Sequence, residues 1–221
     1  RFQKTGLSAA WERLLAVIVQ PGVEFGNFSV ARYVPTKARA LSAFHRNLPG
    51  SMTYEIHSTD YQTPASLARM VSDHFTLLKT GPCLTNAFRE AVFALEEAET
   101  ESLKFRRGVV RSDIRMVLER VMTATPVHWR SHYHGTEDEL RHMRCSSMLD
   151  RIRYYWGHPD VESALGRLHA TLSRGVPASL MTRFWVNADP PVADGKSSVS
   201  PAAFIRRCIQ EALRPYRDAC R

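Results

Sequence analysis

Cysteine is scarce in this sequence: Cys83, Cys145, Cys208 and Cys220 are scattered over 221 residues, with no CxxC pair among them. Such spacing excludes a small disulfide framework and a cysteine-based zinc knot, and it fits a reducing intracellular compartment. Long hydrophobic runs are also missing. No apolar stretch approaches the roughly 18 residues that cross a bilayer, and no basic leader precedes an apolar core, so the expectation is a soluble, cytoplasmic chain with no membrane partner. The GxxxxGK[ST] phosphate loop does not occur, and no nucleotide cofactor is expected. There is neither an internal repeat nor a low-complexity tract. The chain opens on Arg1, not methionine, and reads as a piece whose natural beginning lies upstream.

Negative charge is in deficit, with 22 acidic against 30 basic residues and a formal net charge of +8. The excess sits in the second half, as Arg106, Arg107, Arg111 and Arg115, then Arg141, Arg144, Arg151 and Arg153, then Arg206, Arg207, Arg214 and Arg217. These arginines alternate with Ile, Leu and Met at helical spacing, which reads first as the solvated faces of amphipathic helices. Attraction of anionic sugar phosphates is a second reading. A nucleic-acid partner is not expected, although charge alone does not separate the three.

What is present is 44% hydrophobic residues, enough for a sizeable core. The apolar run Leu14 to Val19, stopped by Pro21-Gly22, reads as a parallel strand buried on both faces. Pro35 to Arg46 reads as a helix, Met52 to Ser58 as a second strand, and Thr63-Pro64 as the cap and first turn of a helix carrying Leu67, Met70, Val71 and His74. Phe75 to Lys79 makes a third strand, after which Thr85 is the expected cap of another helix. Strand and helix alternate three times, the pattern of parallel strands joined by right-handed crossovers.

From about Glu96 the strand signals largely stop. Ser112 is the expected cap of a helix containing Ile114, Val117, Leu118 and Val121, and Thr136 with Glu139 forms a capping-box pattern. Pro159 and Ser200-Pro201 open two further helices. Residues 178 to 185 suit an extended segment, and 187 to 200 read as a loop.

In a parallel α/β sheet ligands bind at the carboxyl ends of the strands. All three strands here end in polar or special residues: QPGVEFG, EIHSTD and KTGP. Glu24 is a surface carboxylate, a metal ligand or an acid-base group. His57 shares a strand face with Glu55, a spacing that suits a divalent metal shared with Glu24, or a plain structural hydrogen bond. The hydroxyls and amides at Ser58 and Thr59, with the turn at Gly81, suit a phosphate. Asp60 is placed to orient a hydroxyl or proton, and Lys79 to face a phosphate or an enolate, unless it is simply solvated. The run His128 to His134 reads as a packed aromatic connection and not as a metal cluster. In DRIRYYW (150 to 156), Arg153 is a candidate phosphate contact, against the plainer reading that Tyr154 and Trp156 pack a helix end.

The segments VIVQPGVEFG, EIHSTDYQT, LLKTGPCLTNAFREAVFALEE and DRIRYYW, in that order, resemble the GatZ/KbaZ-like family. The resemblance runs from about Leu14 to the last helix. It implies the C-terminal part of a TIM-type (β/α) barrel with additional C-terminal helices, divided as 1–98 and 99–221. It also implies a ketose phosphate as ligand, in galactitol, tagatose or amino-sugar breakdown. Two roles go with it. One is an accessory, non-catalytic subunit required by class II D-tagatose-1,6-bisphosphate aldolase, bound to the catalytic aldolase subunit or to copies of itself. The other is a Zn- or Mn-dependent epimerase converting D-tagatose 6-phosphate to D-fructose 6-phosphate, with Glu24, Asp60 and Lys79 catalytic and Glu24 and His57 on the metal. The accessory role is favoured. Family members carry further chain ahead of the segment matching Leu14, so the three strands are expected to form a partial sheet with an open apolar edge, inactive by itself.

Overall fold

A computed structural model describes residues 2–177 and 198–221; the extended segment expected at 178–185 and most of the loop expected at 187–200 lie outside them. The described chain is mixed α/β, with a parallel sheet, and is consistent with part of a TIM-type fold. It divides into two compact units, one of residues 1–81 with 213–221, the other of 82–212.

In the first unit, a short helix α1 (Ser8–Glu12) leads into β1 (Ala16–Val19), and β4 (Thr53–Ile56) and β5 (Leu77–Leu78) complete a sheet in the order β1-β4-β5. Both pairings are parallel, Ala16 opposite Thr53 and Ile56 opposite Leu78. The crossovers are α2 (Pro35–Phe44), extended by a 3-10 turn, and α3 (Pro64–Ser72). Thr63 caps α3 by accepting a hydrogen bond from the Ser66 amide at 3.1 Å, with Pro64 in the first turn. His74 falls beyond that helix in a left-handed conformation. Core residues Val23, Tyr33, Tyr54, Ile56, Met70 and Phe75 pack between sheet and helices, where burial of each large apolar side chain contributes roughly 1.5–3 kcal/mol.

Two expectations are corrected here. The first strand is not buried on both faces: it lies at the sheet edge, and Val17 is 42% and Ile18 58% exposed. Continuous apolarity reports a strand well, but not how many neighbours the strand has. Between β1 and α2 the chain also forms an antiparallel hairpin, β2 (Glu24–Phe25) and β3 (Val30–Ala31), closed by Gly26 to Ser29. Pairs of two residues carry no readable alternation.

The second unit is mainly helical: α4 (Pro82–Ser102), α5 (Ile114–Ala124), α6 (Glu137–Ser146) and α7 (Pro159–Thr171), with β6 (Val176–Pro177) paired to β7 (Ser198–Val199). A last helix, α8 (Pro201–Ala219), belongs to this unit as far as Ala212. The boundary expected near residue 98 falls inside α4. That helix starts at Pro82, so Thr85 is not its cap but sits within the first turn, donating to the Pro82 carbonyl at 3.2 Å. Ser112 is not the cap of α5 either; Asp113 takes that position, and Ser112 is buried against the Glu99 carboxylate. The capping box of Thr136 and Glu139 forms as its sequence predicts. Ala91, Leu95, Leu118, Met122, Leu168 and Phe204 are among the buried residues of this unit's core. No helix among the described residues is long and apolar enough to cross a membrane.

Candidate functional site

The sheet delivers β4 and β5 side by side, so the loops leaving their carboxyl ends share one edge. Lys79 continues the ladder, its amide donating to the Ile56 carbonyl at 2.9 Å. From there the two loops are tied together. The Thr59 hydroxyl donates to the Lys79 carbonyl at 2.6 Å, and Asp60 Oδ1 accepts from the Gly81 amide at 3.0 Å and from the Thr80 hydroxyl at 3.4 Å. Thr59 and Asp60 are buried.

On either side of them the backbone is strained. Ser58 and Tyr61 hold φ of 57° and 62°, a region that side chains other than glycine seldom occupy and that costs of order 1–3 kcal/mol per residue. Several bonds offset that cost. Arg32 donates to the Tyr61 carbonyl, and Gln62 accepts from the Tyr33 amide at 3.1 Å and donates to the Ala31 carbonyl at 2.9 Å. The Tyr33 hydroxyl donates to Asp73 at 2.7 Å, and burial followed by that carboxylate pushes its phenol well up. From the C-terminus, the Tyr216 hydroxyl reaches the Thr59 carbonyl at 2.9 Å.

Thr59, Asp60, Lys79 and Gly81 are therefore brought together, and Ser58 stands between them and His57. His57 Nε2 lies 2.7 Å from Glu55 Oε1, both side chains about one-third exposed, as their shared strand face predicts. Among the described residues no hydrogen bond joins Glu24 to this assembly; its Oε1 accepts from the Phe25 amide at 3.0 Å on the hairpin. Among the described residues the Ser58 hydroxyl and the Lys79 ammonium have no protein partner. Those two groups are open to an anion such as a phosphate.

Arg153 belongs to the second unit, where its Nη1 donates to the Leu149 and Asp150 carbonyls, at 2.5 and 3.0 Å, and Nη2 to the Tyr154 hydroxyl at 3.1 Å. Arg151 and Arg153 both lie over the Tyr154 ring, and His128 stacks on it at 5.0 Å. The 128–134 segment is an aromatic connection in which Trp129 and Tyr133 are buried.

Among the described residues no three His, Cys, Asp or Glu side chains gather around one point as a divalent ion requires. Glu55 and His57 offer two donors, one fewer than the three protein ligands usual at a catalytic zinc. By themselves these residues do not fit the ion.

Sequence reasoning missed Arg32, Gln62, Thr80 and Tyr216. No periodicity links Tyr216 to a loop 157 residues away.

A family model described as D-tagatose-1,6-bisphosphate aldolase subunit GatZ/KbaZ-like matches residues 1–221. The chain belongs to the GatZ/KbaZ-like family. Its resemblance through EIHSTDYQT and DRIRYYW thus holds over the full sequence, and the family lies in tagatose-bisphosphate aldolase-related sugar metabolism. Among solved structures, the GatZ/KbaZ-like chain is similar to a probable tagatose 6 phosphate kinase from Sinorhizobium meliloti 1021, at 36% identity and a TM-score of 0.89. The match covers 99% of this chain and 56% of that one, so the chain spans little more than half the length of this relative.

Proposed function

We propose that the protein is the accessory, non-catalytic subunit of a cytoplasmic class II D-tagatose-1,6-bisphosphate aldolase, with the β4 and β5 loops as its sugar-phosphate edge. The observation that carries this reading is how the candidate acid-base groups are used. Asp60 accepts from the Gly81 amide and Thr80 hydroxyl, Thr59 is tied to the Lys79 carbonyl, and Glu24 accepts from the Phe25 amide. A catalytic carboxylate must be within reach of the proton it moves. Here the carboxylates hold backbone in place, which suits a subunit that keeps an ancestral loop for shape. The given residues contain no GxxxxGK[ST] loop to support the kinase description of the Sinorhizobium meliloti relative.

The test is to assay the catalytic aldolase subunit from the same genome with and without the complete protein. The expected result is higher activity and a longer thermal half-life when both are present. An aldolase indifferent to the addition overturns the reading.

One observation favours the epimerase alternative: the Glu55–His57 pair, 2.7 Å apart and partly exposed at a strand end, is a ready proton donor-acceptor couple. In that reading the Zn or Mn ion draws further donors from outside the described residues, which metal analysis of the complete protein checks. Formation of fructose 6-phosphate from tagatose 6-phosphate by the complete protein alone would establish it, and no turnover with either metal removes it.

A further inference from the structure

α4 and α5 are joined by a connection whose ends are fixed and whose middle is bare. At its base, Glu99 is fully buried, and its two carboxylate oxygens accept from the Ser112 amide at 3.1 and 3.2 Å and from the Ser112 hydroxyl. Leu103 is buried beside it, and its amide donates to the Glu99 carbonyl at 2.9 Å. Next along the chain, Arg115 reaches Glu97 at 2.9 Å and Glu96 at 3.5 Å. These contacts close residues 103–111 into a loop with a rigid neck.

The loop shows to solvent the most exposed large apolar side chain among the described residues. Phe105 is 91% exposed and Val110 73%, with Val109 exposed beside them. Large apolar side chains left in water at this density mark sites of association more often than they occur by chance. The same stretch, LKFRRGVVR, carries Lys104, Arg106, Arg107 and Arg111 and no acidic residue. Lys104 is 3.8 Å from Glu101, whereas Arg106, Arg107 and Arg111 have no ion-pair partner among the described residues. Folding has thus held an aromatic ring and two valines in water between three uncompensated guanidinium groups.

We infer that the 103–111 loop is a docking loop for a protein partner that presents an apolar pocket rimmed by carboxylates. Charge selects the occupant. A second copy of this chain would bring the same cationic loop against itself, which like-charge repulsion opposes. The fixed neck favours a shaped protein pocket over a fluid anionic surface, because the two ends of the loop are already placed before docking. Phe105 is the anchor, and Arg106, Arg107 and Arg111 supply steering and register. The inference rests on the accessory reading, since it takes the catalytic aldolase subunit as the partner.

The experiment measures binding of the complete protein to that aldolase subunit by calorimetry at two salt concentrations, with Phe105→Asp and the double variant Arg106→Glu/Arg107→Glu. The expected outcome is a loss of roughly tenfold or more in affinity for each variant. The double variant should also show a shallower salt dependence than the parent. Because Arg106 and Arg107 lie in solvent, that variant keeps the test valid if Phe105→Asp does not fold. Parent-like affinity in both variants overturns the docking loop and leaves the accessory reading intact. No binding by the parent removes both. Loop-dependent binding to phosphatidylserine vesicles, with aldolase affinity unchanged in the variants, overturns the protein partner in favour of a membrane surface.

Discussion

The hydroxyl of Tyr216 donates a 2.9 Å hydrogen bond to the carbonyl oxygen of Thr59, joining the final helix to the strained loop after β4. A neutral hydrogen bond of this kind contributes about 0.5–1.5 kcal/mol. Its loss leaves a buried carbonyl to be satisfied by water or by movement of the loop. Tyr216→Phe is therefore expected to lower the melting temperature by only a few degrees. The amides of residues 58 to 61 should nevertheless exchange several-fold faster. Unchanged exchange at these amides would show that the loop holds its left-handed residues without the helix.

Asp60 separates shape from chemistry. Asparagine keeps an oxygen able to accept from the Gly81 amide and the Thr80 hydroxyl, whereas alanine removes that acceptor from both donors. Asp60→Asn is expected to stay within about 1 kcal/mol of the parent in denaturant unfolding, with Asp60→Ala losing about 1–3 kcal/mol. Stimulation of the aldolase should follow the same order. If Asp60→Asn is as stable as the parent yet functionally dead, the carboxylate has a chemical role and the accessory reading loses its main support.

The Arg89 side chain makes five hydrogen bonds, matching the five N–H groups of a guanidinium: Nε and Nη2 to Glu90, Nη2 to Asn86, and Nη1 to Asp150 and the Ser147 carbonyl. Arg89 is 2% exposed and Asp150 0%. Removing one member of such a buried pair typically costs about 3–5 kcal/mol. Arg89→Met and Asp150→Ala are expected to fall in that range in urea unfolding. Asp150→Asn should lose less, because it keeps an acceptor and tolerates the φ of 48° found there. Equal losses for Ala and Asn would mean that charge alone matters.

Thiol reactivity should divide by depth. Burial pushes the Cys208 thiol up to about 11, while Cys220 is exposed. At pH 8 a thiol of that pKa is only about 0.1% thiolate, so iodoacetamide followed by mass spectrometry should label Cys220 first. Because Cys208 remains protonated until the pH nears 11, its labelling rate should rise about tenfold per pH unit between 8 and 10. A rate flat in pH would place another group in control.

What could be read in advance was mostly local. Thr63-Pro64, Thr136 with Glu139, Pro159 and Pro201 announce helix starts through groups within four residues of each other, and all four helices form there. The strands were legible as apolar runs ending in polar residues, and Glu55 and His57 met because a strand's alternation puts them on one face. Ser112 looked like a cap by the same local logic, but Glu99, thirteen residues earlier, claims its hydroxyl. Arg89 gave no sign of its network, since its partners Ser147 and Asp150 lie about sixty positions away. The β2-β3 hairpin is too short to print a pattern. For the candidate site, residue types were legible, and their employment was not. Nothing in the spelling of STD says that Thr59 and Asp60 will be used to anchor backbone.

The order β1-β4-β5 also sets a sequence of opening in time. β4 is bonded on both sides, with Tyr54 1% and Ile56 0% exposed, whereas β1 has a single neighbour and two apolar side chains in water. Local fluctuations should release the edge strands β1 and β5 before β4, which stays closed until the unit melts as a whole. The central strand is then the slow clock of this unit, and the loop that follows it inherits that persistence.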